Sequence, residues 1–200
     1  IGGMAVHADL RDPSNAEDMV SRVVSEMGGL DVCVANSGLY PPEPMPMWEI
    51  GSERWESTVM SNLSVTANTA RSFLSHASGQ GTGSLVLVGS TAGIYGEAGH
   101  SDYAAAKGGV AGLTMSNAKE FSARNICVNC VCPGFIESDM TDELPDEYIA
   151  EVTKSIPLGR FGTPAEVAGL VRYLAIDPSS AYITGHSFTV DGGIAIGAGF

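Results

Sequence analysis

The chain has no apolar run of the roughly 18 residues that a membrane span requires, so no membrane partner is expected. It is also poor in positive charge. Ten basic residues stand against 23 acidic ones, a net charge of -13. The acidity is spread along the chain, which disfavours nonspecific binding to nucleic acid or to an anionic lipid surface. No basic leader precedes an apolar segment. Nor does methionine open the chain: Ile1-Gly-Gly-Met-Ala-Val6 enters a strand pattern almost at once, so the start reads as a cut. Cysteine is scarce, and three of the four cysteines fall in Ile126-Cys-Val-Asn-Cys-Val-Cys132. On a strand, alternation sends Cys130 and Cys132 to one face and Cys127 to the other. One strand so arranged cannot enclose a tetrahedral ion. His7, His76, His100 and His186 are scattered without ligand spacing. No metal is expected, and the thiols read as small buried side chains suited to a reducing compartment.

What is present suffices for one core. The 200 residues, 44% hydrophobic, read as a single domain over 1-200. Strand patterns at Met4 to Leu10, Leu30 to Ala35, Leu85 to Gly89, Ile126 to Cys132 and Phe188 to Val190 alternate with helical ones. The helices are expected at Ser14 to Met27, Gly51 to Ser75, Tyr103 to Ala123 and Pro164 to Ala175, with a loop over Thr91 to His100. Residues 137-157 read as a polar loop with a mobile helix. Continuous apolar strands imply a parallel sheet covered on both faces, an α/β doubly wound fold. Asp9, Asn36, Ser90 and Pro133-Gly134 sit at strand ends, where such sheets bind ligands.

Ser101-Asp-Tyr103-Ala-Ala-Ala-Lys107 carries the most chemistry. Four residues on a helix bring phenol and ammonium to one side, a turn apart. An ammonium held beside a phenol favours its ionisation, so Tyr103 is expected to exchange a proton near neutral pH. The competing reading is a solvent-facing tyrosine with an ordinary helical lysine. Ser90 can donate to a carbonyl oxygen, or be a turn hydroxyl. Asn62 lies inside a helix, as a site residue or as a kink. Asp9 can accept from an adenine amino group, or merely flank a helix. Asn36-Ser-Gly38 offers a polar side chain and a glycine that admits a flat ring or ribose.

This set resembles the classical short-chain dehydrogenases/reductases. The matching residues are Ser90, Tyr103-Ala-Ala-Ala-Lys107, Asn62, Ala35-Asn36-Ser37-Gly38 and Pro133-Gly134. Within that family the strings Cys132-Pro-Gly-Phe-Ile-Glu-Ser-Asp-Met140, Ile156-Pro-Leu-Gly-Arg160 and Tyr182-Ile-Thr-Gly185 are most similar to 3-oxoacyl-acyl-carrier-protein reductases of plastid and bacterial type. The resemblance implies a Rossmann-like fold and hydride transfer between NADP (or NAD) and a carbonyl substrate, free or linked to acyl carrier protein. It implies Asn62, Ser90, Tyr103 and Lys107 as catalytic residues. Tyr103 would protonate the carbonyl oxygen, Lys107 lower its pKa and bind the ribose, and Asn62 hold a water. Asp9, Leu10, Asn36, Gly38, Tyr103, Lys107, Pro133, Gly134, Ile136 and Ser138 would line the cofactor. A homotetramer or homodimer is implied, in cytoplasm or plastid stroma.

The family opens with a strand and a glycine-rich turn that receives the pyrophosphate, and none lies upstream of Met4. The resemblance therefore implies a fold truncated at its N-terminus, without the first two strands and first helix. Removing them would leave Met4 to Leu10 about 10 Å from the next strand. A sugar, polyol or other secondary-alcohol dehydrogenase, or a catalytically impaired homologue, are the alternatives; Pro41 to Pro46 and Glu97 leave room for a sugar-like substrate.

Overall fold

The computed structural model describes residues 3-41, 43-138 and 145-197. At its centre is a four-stranded parallel sheet: β1 (Val32–Ala35), β2 (Gly83–Val88), β3 (Ile126–Pro133) and β4 (Ser187–Val190), in that spatial order. Ala35 stands opposite Leu87, Val88 opposite Val131, and Pro133 opposite Val190, so the strand ends form one edge. The parallel sheet agrees with the doubly wound fold class that the sequence implied.

Alternation along β2 explains the layers. Leu85 and Leu87 point to one face, into a core with Phe73 of α3 (Val65–Gln80) and Val110 of α5 (Ser101–Phe121). Val86 points to the other face and packs with Val131 and Leu174 of α7 (Pro164–Ile176). Each such side chain contributes roughly 1.5–3 kcal/mol when fully buried. Both faces are covered, which is why these strands are apolar throughout. Cys130 and Cys132 do share the α5 face, with their sulfurs 3.5 Å apart; Cys33 and Cys127 are only half-buried.

Local signals set the helix ends. Asp12 caps α1 (Pro13–Met27) through the Ser14 N–H, Pro13 begins it, and Gly28 ends it at φ 84°. Thr163 and Glu166 form a capping box on α7. The long helical region splits into α2 (Ser52–Val59), a wider π turn over Met60–Ser64, and α3. Thr91–Tyr95, expected as loop, is a short helix α4. Helix α6 spans Asp146–Ser155; residues 139-144 of the expected polar loop, and residues 198-200, lie outside the described residues.

Met4 to Leu10, expected as a strand, forms none: residues 4-9 have no regular secondary structure and Leu10 lies in a turn. A strand needs a neighbour to complete its hydrogen bonds. Among the described residues the sheet ends at β1. Residues 9-12 instead make a turn, Asp12 N–H to the Asp9 carbonyl at 3.2 Å. Asn68 of α3 holds that turn by donating to the Leu10 carbonyl at 2.8 Å.

Helix α4 is pressed onto α5 through glycine. A Cβ on Gly93 would lie 2.5 Å from the Lys107 carbonyl carbon and 2.7 Å from the Gly108 nitrogen, with no flexible side chain to yield. Gly112, in the same α5, faces open space. Gly93→Ala is therefore expected to lower unfolding free energy by about 1–3 kcal/mol. Gly112→Ala is expected to raise it by about 0.5–1 kcal/mol. Denaturant unfolding of both variants checks the pair; equal effects would contradict the packing.

Candidate active site

Three strand ends and one helix start build the site. After β2 the chain passes Gly89, where a Cβ would strike the Cys130 and Cys132 sulfurs at 2.8 and 2.9 Å. Ser90 follows as the N-cap of α4, its Oγ accepting the Ala92 N–H at 3.2 Å. That bond leaves the Ser90 hydroxyl proton available to donate. The close α4–α5 packing brings Ser90 beside Tyr103, in the first turn of α5, where the serine hydroxyl acts to lower the phenol pKa.

Lys107 stands one turn further along α5, 4% exposed. Its Nζ donates to the Val88 carbonyl at 3.0 Å. It lies 5.8 Å from the Tyr103 ring centroid. Burial lowers the lysine pKa below 10.5, while Cys130 and Cys132 behind it act the other way.

The expected depression of the tyrosine pKa is not found. Burial raises the Tyr103 phenol above 10; the Ser90 hydroxyl opposes this, and Glu97 and Cys132 add to it. The spacing does put phenol and ammonium on the same side of the helix. But the Lys107 side chain reaches back to the end of β2, so its charge is spent on a backbone carbonyl.

Asn62 is fully buried in the π turn. Its Oδ1 accepts from the Leu39 N–H at 3.1 Å, and its Nδ2 donates to the Leu39 carbonyl at 2.8 Å and the Thr58 carbonyl at 3.0 Å. It thereby clamps the loop that follows β1. Within that loop a Cβ on Gly38 would lie 2.7 Å from Asn62 Oδ1 and 3.2 Å from Lys107 Nζ. Only glycine fits there, and the loop backbone lies against the ammonium. Asn36, two residues earlier, is exposed.

The residues expected around a cofactor divide. Asn36, Gly38, Tyr103, Lys107, Pro133 and Gly134 belong to neighbouring strand ends or to α5. Gly134 is required by packing, since a Cβ there would meet Asp191 at 2.9 Å; its N–H donates to the Val190 carbonyl at 3.1 Å. Ile136 pairs with Gly162 in an isolated bridge, and Ser138 follows at the border of the described segment. Asp9 is exposed and bound to Arg11, with Nε at 2.9 Å and Nη2 at 2.6 Å; those bonds hold its carboxyl down to about 2. Asn68 ties Leu10 to the same helix that follows Asn62.

The sequence reading assembled neither of two clusters, although it had singled out Glu97. Asp102, fully buried, accepts from Arg54 Nε at 2.9 Å and from Thr58 Oγ1 at 3.0 Å. Burial works to raise its pKa, but Arg54, the Tyr103 N–H and Thr58 together leave it below 3.8. Arg54 Nη1 also donates to the Glu43 carbonyl at 2.8 Å, so this ion pair fixes α2 and its neighbouring loop beside Tyr103. The second cluster is Tyr40, Glu97 and His100. Tyr40 donates to Glu97, stacks on His100 at 4.6 Å between ring centroids and meets Tyr103 edge-on at 5.1 Å. The only signal for either was Asp102 and Glu97 lying near Tyr103 in sequence.

Known proteins share this arrangement of elements. A family model described as Enoyl-(Acyl carrier protein) reductase matches residues 1–195. A 3-oxoacyl-[acyl-carrier-protein] reductase of Thermotoga maritima is 40% identical over 188 residues, 94% of this chain and 75% of that protein. The reductase of that description from Vibrio cholerae is 37% identical over 192 residues, 96% of this chain and 77% of that one. A solved structure from Sinorhizobium meliloti 1021, assigned provisionally to the short-chain alcohol dehydrogenases, superposes with a TM-score of 0.90 at 28% identity, covering 97% of this chain and 77% of that one. The chain belongs to the family of that model and, with these relatives, to the short-chain dehydrogenases/reductases, a family of NAD(P)-dependent oxidoreductases.

Proposed function

We propose that the protein reduces the 3-oxo group of acyl-carrier-protein-linked acyl chains with NADPH, NADH being the other possible donor. The observation that carries the reading is the Ser90–Tyr103 hydroxyl pair one helical turn from a buried ammonium. The substrate class is supported by the description of the relatives at 36–40% identity.

The residues fit a nicotinamide ribose. An ammonium has three N–H donors, and among the described residues Lys107 uses one, on Val88. The others would bind the ribose diol, with the Gly38 backbone alongside. When bound, the cofactor would supply a hydride to the carbonyl carbon. Tyr103 then gives its proton to the carbonyl oxygen, and Ser90 donates to that oxygen while charge develops on it. A phenol whose pKa is raised keeps its proton at neutral pH, which suits reduction.

Asn62 acts as a positioning residue, because its side chain is spent on Leu39 and Thr58. Its backbone carbonyl, in the widened turn, accepts from Thr66 Oγ1 at 2.8 Å and has capacity for a water leading to Lys107. Among the described residues no strand pairs with residues 4-9 or with the outer edge of β1, where a glycine-rich segment holding the pyrophosphate would pack. Self-association is also part of the proposal, supported by exposed Met60 and Met115 on the helices of one face. No helix among the described residues is long and apolar enough to cross a membrane. A sugar or polyol dehydrogenase remains the second reading, favoured by the polar Tyr40–Glu97–His100 wall beside Tyr103.

Removing the Tyr103 hydroxyl is expected to lower kcat by about 10²–10⁴-fold. NADPH consumption by Tyr103→Phe with a 3-oxo ester, alongside its circular dichroism, checks this. A folded variant within about tenfold of the parent contradicts the assignment.

The pH profile has a definite sign. Reduction needs Tyr103 and Lys107 both protonated, the forms present at low pH. Burial raises the Tyr103 pKa from 10.0 and lowers the Lys107 pKa from 10.5, so the lysine proton is lost below its ordinary range as pH rises. The kcat/KM for reduction is expected to fall on the alkaline side with an apparent pKa below 10.5. A rate that climbs through that range contradicts the assignment.

A further inference from the structure

The wall facing Tyr103 is a joined unit. Tyr40 comes from the loop after β1, Glu97 and His100 from the loop between α4 and α5. The Tyr40 hydroxyl donates to Glu97 and lies 3.2 Å from His100 Nδ1. His100 Nε2 lies 3.1 Å from the Pro41 carbonyl, and its Nδ1 lies 3.5 Å from the Glu97 carboxylate. His100 is buried, so the carboxylate is propped from behind on two sides.

Glu97 is held next to the Tyr40 ring that meets Tyr103 edge-on. Its side chain is 27% exposed. Its charge acts, after burial, to raise the phenols of both Tyr148 of α6 and Tyr103. Among the described residues no lysine or arginine pairs with it. A carboxylate is acceptor-only, and Tyr40 occupies part of its capacity.

We infer that Glu97, braced by Tyr40 and His100, selects the substrate by charge. The group next to the reacting carbonyl must be neutral or a hydrogen-bond donor, such as a thioester, ester, amide or hydroxyl, and a carboxylate is refused. The inference rests on the carbonyl-reductase reading and deepens it. Oxo acids are taken only once the acid is masked by a carrier or an ester. The cause is like-charge repulsion in a site partly shielded from water. A reaction that activates the acid as a thioester must then come before this step.

The test compares ethyl acetoacetate with acetoacetate, which differ in the masking of one acid. The kcat/KM of each is measured with NADPH for the parent protein and for Glu97→Gln. The parent is expected to prefer the ester by at least about tenfold, and Glu97→Gln to bring that ratio down by about tenfold. Tyr40→Phe, which removes a donor from the carboxylate and keeps its charge, is expected not to lower the ratio. A parent ratio near one overturns the inference, whether or not the variants fold. So does a ratio in folded Glu97→Gln within about twofold of the parent's.

Binding of the same two ligands, followed by NMR titration without cofactor, reads the ratio without turnover. A protein that binds the ester over the acid in a Glu97-dependent way, yet reduces neither, supports charge selection and counts against the reductase reading alone. Equal binding of ester and acid by the parent overturns charge selection.

Discussion

A buried ammonium governs the arrangement of this molecule. Taking a lysine charge out of water costs several kcal/mol unless partners compensate. Here Lys107 gains the Val88 carbonyl at the end of β2 and two polarisable sulfurs behind it. That placement requires small neighbours. Gly93 lets α4 touch the α5 backbone, Gly89 clears the sulfurs, and Gly38 lets the loop after β1 lie against Nζ. The π turn and the Asn62 clamp hold that loop in place. Parallel strands supply the edge on which these pieces meet.

The electrostatics divide the work between the two titratable groups. Burial acts on both, but in opposite directions, because it disfavours whichever form is charged. It keeps the tyrosine protonated and makes the lysine easier to deprotonate. Ser90 partly offsets the effect on Tyr103, whereas Glu97 reinforces it. In the proposed reaction the site would therefore act as an acid, with the lysine contributing through what it binds. The Asp102–Arg54 ion pair stabilises the same corner from beneath, anchoring the first turn of α5 to α2.

Spacing made the centre of the site legible in the sequence. Ser90, Tyr103 and Lys107 lie within one strand–helix–helix unit, so local geometry brings them together. Asn36, Gly38 and Pro133 were legible as strand ends because parallel strands align their ends. The strand expected at Met4 to Leu10 failed because pairing is a property of neighbours, which composition does not report. Helix α4 was hidden by the glycine that its packing requires. Asp102 finds Arg54 48 positions away, and Tyr40 finds Glu97 57 positions away, through tertiary contact alone. The tyrosine pKa was misread for a related reason: helical spacing says which side a lysine occupies, but not which acceptor its long side chain chooses.

The central claim is that Lys107 is held buried for what it binds. Its titration tests this directly, since the chain has only three lysines, Lys107, Lys119 and Lys154. The account predicts that, in ¹³Cε-lysine NMR spectra, a resonance titrates below 10.5, and that Lys107→Met removes that resonance. No depressed resonance in the parent protein, or one that survives Lys107→Met, would contradict it.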